Sequence, residues 1–134
     1  MGSGKFYPVE STCCHLAGGA NWIFPTKENP QWSLRMKRTG TSGSIRFVNE
    51  LGESFLVVLG VRNYRPWFDI VTDLKPDDTA MKIHPSYYNG GERSGIPLKQ
   101  YKVEKVNSKN RRFSLRVTGQ DRDHFVCSLV VQNA

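Results

Sequence analysis

The amino-acid sequence predicts an all-β fold with minor short helices, arranged as an antiparallel β-sandwich. Three observations carry that reading. Apolar residues recur with period two through several runs, the spacing that puts side chains on alternate faces of a strand. Polar stretches, several with glycine, separate the runs at short intervals, as hairpin connections do. Helical signals are confined to one brief segment, which leaves sheet-on-sheet packing to bury the apolar faces.

In chain order, the first clear pair of strands surrounds residues 49–53. Ile45 and Phe47 alternate with Ser44, Arg46 and Val48, and a polar turn carrying Gly52 follows. Phe55, Val57, Leu59 and Val61 share one face of the next strand. Leu56 and Val58, on the opposite face, are apolar too, so this strand is expected to be central and covered on both sides. Residues 68–72 form a further strand candidate. Residues 75–83 begin with proline and acids, which the first turn of a short helix favours, and Pro85 limits it. Residues 89–95 read as a loop on glycine content. Strands are expected again at 101–103, 113–117 and 124–131, the last two joined by a polar hairpin loop over 118–123.

The length of 134 residues predicts one domain over 1–134, with 1–5 as a flexible lead-in or cloning remnant. A chain of this size hides about two-thirds of its unfolded surface and needs no metal or disulfide staple. With 38% hydrophobic and 23% charged residues it has the composition of a soluble globular protein, and no window approaches the ~18 apolar residues of a membrane span. The first residues lack a signal-peptide core and no N-glycosylation sequon occurs, so the expected location is cytoplasmic. Cys13 and Cys14 are adjacent and Cys127 lies on an apolar strand face. All three are read as reduced thiols used as small core hydrophobes.

The net charge of +7 raises nucleic acid as a partner. The basic residues recur singly, however, with only short clusters at 35–38 and 109–112, and solvated faces explain them better. Enzyme motifs are missing: there is no Gly-x-Ser-x-Gly elbow, phosphate loop or dinucleotide fingerprint. His15, His84 and His124 have no metal-ligand spacing. Asp77 and Asp78 are neighbours, whose side chains do not converge on one substrate atom. No enzyme activity, cofactor or metal is expected.

Binding remains. In Arg62-Asn63-Tyr64-Arg65-Pro66-Trp67-Phe68-Asp69, hydrogen-bonding groups are interleaved with rings, and residues 87–93 repeat the mixture. A sugar presents apolar C–H faces and several hydroxyls, so its site needs an apolar wall with fixed donors and acceptors. Rings that merely cap the sandwich ends are the competing reading, and composition leaves both open.

Several motifs in fixed order resemble the fungal fruit-body lectins: Gly40-Thr41-Ser42-Gly43-Ser44-Ile45-Arg46-Phe47, Gly52-Glu53-Ser54-Phe55, Gly60-Val61-Arg62-Asn63-Tyr64 and Trp67-x-Asp69-Ile70-Val71-Thr72. Pro8-Val9-Glu10, Gly18-Gly19, Trp22 and Tyr87-Tyr88 follow the same order, so the likeness covers about residues 6 to 131. It implies an actinoporin-like sandwich of six strands against four, with two sugar sites per protomer. One site, for the galactosyl-N-acetylgalactosamine (Thomsen–Friedenreich) disaccharide, falls by position on Ala17, Thr39, Gly40 and Asn63. The other, for terminal N-acetylglucosamine, falls on Asp69, Ile70, Thr72, Arg93 and Tyr101.

The likeness further implies glycans and glycoproteins as partners and assembly into a dimer or tetramer. The chain departs from the family pattern at several points. The family's first long strand, before Pro8, has no counterpart here, and Cys14 stands in place of a tryptophan. Thr39 replaces serine and Arg62 replaces histidine, while the loop between Arg93 and Tyr101 is shorter. The same fold also serves membrane-active pore formers, which need an amphipathic N-terminal helix. Pro8, Pro25, Pro30 and the Gly18-Gly19 pair deny residues 1–30 such a helix. Membrane insertion is therefore not expected, and neither is nucleic-acid binding.

Overall fold

A computed structural model describes residues 5–14, 20–23, 27–28, 33–36, 42–62, 65–87, 91–93, 102–121 and 124–133. Strands β1 (Tyr7–Cys14), β4 (Ser42–Val48), β5 (Ser54–Arg62) and β6 (Arg65–Val71) pair in that order as an antiparallel sheet. Strands β2 (Ala20–Ile23) and β3 (Ser33–Met36) form a separate ribbon. The second layer is a sheet of β7 (Lys102–Val106), β8 (Arg111–Asp121) and β9 (His124–Asn133). The implied six strands against four thus appear, among the described residues, as four plus a two-stranded ribbon against three.

The alternation of β5 sets the layering. Phe55 and Val57, with Phe68 and Ile70 of β6, face the second sheet and pack on Val103, Phe113 and Leu115. Phe6 adds an edge-on ring to Phe55, 4.9 Å between centroids. Leu56 and Val58, with Trp67, point the other way and are covered by Ala80, Ile83 and Tyr87. Both faces of β5 are therefore buried, as its unbroken apolar run requires. The second cover is helical.

That cover is a single α-turn, α1 (Ala80–Ile83), followed by a 3-10 turn over His84–Tyr87. The expected start at 75 is displaced. Thr79 is the N-cap, its hydroxyl accepting the Lys82 N–H, while the Asp78 carboxylate accepts the Lys75 N–H in a preceding turn. The Glu10 carboxylate of β1 accepts the Ala80 and Met81 N–H groups and so docks α1 on the sheet. Pro85 ends the α-helical pattern but is accommodated in the tighter turn.

Two hairpin turns of matching design close one end of the sandwich. The Oδ1 of Asn49 accepts the Leu51 and Glu53 N–H groups, and the Oδ1 of Asn107 accepts those of Lys109 and Arg111. Gly52 and Asn110 hold the left-handed position in each. Between them lies Glu53, almost fully buried. It takes donors from Asn49 Nδ2 (2.6 Å), Asn107 Nδ2 (2.8 Å), Arg111 Nε (2.8 Å) and Arg111 Nη2 (2.9 Å). This carboxylate bolts one sheet to the other.

Three sequence expectations are corrected. The strand expected at 68–72 begins at Arg65 and ends at Val71, and Pro66 is tolerated because β6 is, among the described residues, an edge strand. The loop expected over 118–123 is mostly ladder: Gly119, Gln120 and Asp121 pair with Val126, Phe125 and His124, beyond an irregularity at Val117/Gly119. Cys13 is exposed and so is no core hydrophobe, whereas Cys127 packs against the inter-sheet core.

Candidate functional site

The candidate site lies where the helical cover meets β6. Side chains on β6 alternate, so Phe68 and Ile70 enter the inter-sheet core while Trp67 and Asp69 face the 3-10 turn. Trp67 and Phe68 are each 1% exposed, so they are structural and not a sugar platform. Asp69 is 3% exposed, and its Oδ2 accepts a hydrogen bond from the Tyr87 hydroxyl at 2.5 Å. Burial, and then the Asp69 charge, push the Tyr87 hydroxyl's ionisation far up, while the nearby Arg93 cation offsets part of this.

Arg93 is held by the same turn. Its backbone N–H donates to the Ser86 carbonyl (2.9 Å), and its Nη1 donates to the Ser86 hydroxyl (3.1 Å) and to Glu92 Oε1 (2.7 Å). The approach is close: a Cβ on Gly91 would lie 2.4 Å from the Ser86 carbonyl oxygen. Glycine at 91 is what lets the chain pass there. The Arg93 side chain keeps 26% of its surface open to solvent. Thr72, just past β6, is half-buried.

Behind the site sits His84, buried between strands. Its Nδ1 is 2.8 Å from Thr12 Oγ1 and its Nε2 is 2.7 Å from Ser42 Oγ, while the Thr12 and Ser44 hydroxyls also touch. Neutral imidazole offers one donor and one acceptor, which suits two hydroxyls that can each play either part. Burial pushes its pKa from 6.5 down to about 4. Metal-ligand spacing is no guide to His84; the signal for its buried place is a histidine that directly follows Ile83, on the apolar Ala80/Ile83 side of the helical turn.

The sequence-assigned residues divide clearly. Asp69 and Arg93 lie on this side of the sheet or beside the turn, whereas Thr72, just past β6, continues the alternation of Phe68 and Ile70 and is not brought to them by any described contact. Ile70 turns its side chain into the core, leaving only its backbone for a ligand. Tyr101 lies outside the described residues, as do Ala17, Thr39, Gly40 and Asn63. Their described sequence neighbours do come together. Cys14, Ser42, Gly60 and Trp67 form one row across the sheet, and each of those four site residues lies within three residues in sequence of that row. Among the described residues, no group of three or more His, Cys, Asp and Glu could hold a metal ion. No helix there is long and apolar enough to cross a membrane.

Comparison with known proteins agrees with this architecture. The family model described as fungal fruit body lectin matches residues 2–129. A Boletus edulis lectin is 41% identical over 118 residues, covering 87% of this chain and 80% of that protein. The crystal structure of wild-type Xerocomus chrysenteron lectin superposes with a TM-score of 0.90 at 34% identity, covering 96% of this chain and 89% of that one. A mutated form of the same lectin gives the same TM-score at 35% identity, with 88% of its chain covered.

Proposed function

Because the chain belongs to the fungal fruit body lectin family, we propose that it is a non-enzymatic lectin with two separate shallow sugar sites on each protomer. The first takes galactosyl-N-acetylgalactosamine through Ala17, Thr39, Gly40 and Asn63. The second takes N-acetylglucosamine-type glycans through Asp69, Ile70, Thr72, Arg93 and Tyr101. The observation that carries the reading is that consecutive residues of one turn hold both groups, Tyr87 the Asp69 carboxylate and Ser86 the Arg93 guanidinium, since a carboxylate and a guanidinium hold sugar hydroxyls or an acetamido oxygen by charge-assisted bonds.

Sequence spacing supports two separate sites. Arg65, where β6 begins, and Asp69 are four residues apart, about 13 Å of strand at ~3.3 Å per residue, and Asn63 precedes Arg65 in sequence by two more residues. Asn63 and the Gly40 amide read the axial hydroxyl that distinguishes galactose from glucose. At the second site Ile70 contributes backbone groups, and Tyr101 supplies the apolar wall. Shallow sites of this kind bind weakly one at a time. Agglutination therefore calls for several copies, and a dimer or tetramer gains avidity by multivalency. Cys13 and Cys127, neither in a disulfide, suit the reducing cytoplasm proposed as the protein's location.

A glycan array with paired variants tests the reading. Asn63→Ala should abolish binding of the galactosyl disaccharide and spare chitobiose, while Arg93→Ala should do the reverse. Equal loss of both sugars in either variant overturns the two-site assignment. Retention only on polyanions, lost steeply with salt, would instead mark the basic surface as a nucleic-acid binder.

A further inference from the structure

We propose that the 3-10 turn His84–Tyr87 is the positioning element of the second sugar site, with Tyr87 fixing the Asp69 carboxylate and Ser86 fixing the Arg93 guanidinium. The inference rests on the assignment of Asp69 and Arg93 to that site and adds two residues that contact no sugar themselves. Asp69 and Arg93 come from a strand and from a loop, and neither element alone sets their relative position. Consecutive residues of one turn reach both: Tyr87 Oη to Asp69 Oδ2 at 2.5 Å, and Ser86 Oγ to Arg93 Nη1 at 3.1 Å.

The turn is itself rigid. The Ser86 hydroxyl donates to the Ile83 carbonyl at 2.5 Å, which orients its oxygen to accept from Arg93. The Tyr87 ring is 2% exposed and packs on Trp67, 5.4 Å between centroids, so its hydroxyl has little freedom. His84 pins the start of the turn between Thr12 of β1 and Ser42 of β4. The Tyr87 hydroxyl occupies one acceptor position on Asp69 Oδ2 and so restrains the carboxylate. A shallow site gains most from such preparation, because ordering a mobile side chain on binding weakens affinity.

The test uses the full chain and chitobiose. Tyr87→Phe keeps the ring against Trp67 and removes only the hydroxyl; Ser86→Ala removes the anchor for Nη1 but keeps the backbone bond to Arg93. Each should weaken chitobiose binding by about tenfold, the size of a hydrogen bond to a charged group. The galactosyl disaccharide should bind unchanged. Asp69→Asn should also weaken chitobiose, and in that background Tyr87→Phe should add little, because both changes act through one carboxylate.

Unchanged chitobiose affinity in Tyr87→Phe and Ser86→Ala, with Asp69→Asn still weakened, overturns the positioning role and leaves the site assignment standing. The role also falls if Tyr87→Phe weakens both sugars alike, or costs the same factor with and without Asp69→Asn. If Asp69→Asn and Arg93→Ala leave chitobiose untouched as well, the assignment of the site falls with it. Ser86→Ala alone decides the matter if Tyr87→Phe does not fold.

Discussion

Replacing Glu53 with glutamine tests whether one buried carboxylate joins the two sheets. The Arg111 guanidinium holds this carboxyl well below the usual range, with help from the Asn49 and Asn107 amides and against the effect of burial, so its pKa falls from 4.5 to about 2. A depressed folded pKa gives stability that is complete above the unfolded value and is lost as pH falls toward the folded one. The gap is worth about 3 kcal/mol at pH 7, and about 1.4 kcal/mol of it remains at pH 3. Out of a total stability of roughly 5–15 kcal/mol this is a large share. Glu53→Gln keeps the shape and removes the titration. Urea unfolding followed by tryptophan fluorescence at pH 7, 5, 4 and 3 should show wild type ahead at pH 7 by about 3 kcal/mol, with the lead shrinking by about 2 kcal/mol at pH 3. His84 titrates in both proteins, so its contribution cancels in the difference. An equal lead at pH 7 and pH 3 would refute the reasoning, because the stabilisation would then owe nothing to the charge.

Acid sensitivity at milder pH should come from His84. With its folded pKa lowered from 6.5 to about 4, wild type should lose about 3 kcal/mol between pH 7 and pH 4, and His84→Gln should lack that decline in a thermal-melt series. Gly60→Ala places a Cβ 2.3–2.5 Å from the buried Trp67 indole on the paired strand, so it should destabilise by about 1–3 kcal/mol, read from the urea midpoint. Burial pushes the Cys127 thiol from 9.0 up to about 11, which cuts its thiolate fraction at pH 8 by about a hundredfold. Iodoacetamide followed by peptide mass spectrometry should therefore label exposed Cys13 in the native protein and leave Cys127 largely unmodified.

The strands are legible because period-two alternation directly reflects burial on a pleated sheet. β5 announces both of its buried faces through Phe55–Val58, and the register of β4 with β5 follows from the Asn49–Glu53 turn. Sequence reading fails where the backbone, not side-chain character, decides. Gly119, Gln120 and Asp121 look like loop residues, yet the β8–β9 ladder needs only their N–H and C=O groups. Pro66 argues against a strand at 65–67, but an edge strand leaves one side without ladder bonds. Asp77 and Asp78 resemble the head of a helix, and the cap is Thr79, one residue later.

The polar residues of the site are visible in the sequence only as oddities, and their meaning depends on what the fold brings to them. Asp69 sits in Trp67-Phe68-Asp69-Ile70, a strand buried on both faces, and Glu53 opens an equally apolar run. Burying a carboxylate is costly unless partners compensate, so each position calls for donors from elsewhere in the chain. The structure answers differently in the two cases. Glu53 receives four donors, two on each oxygen, which fill a carboxylate's acceptor positions and make it a joint between sheets. Asp69 accepts from the phenol of Tyr87, and the neighbouring Ser86 accepts from Arg93, whose side chain is about a quarter exposed. Both carboxylates are buried; Glu53 is held by strand-end turns, and Asp69 by a turn that also anchors the partly exposed Arg93. Similar chemistry thus joins sheet to sheet at Glu53 and strand to turn at Asp69. The difference arises from a four-residue turn whose His84, Ser86 and Tyr87 contacts span parts of the chain far apart in sequence.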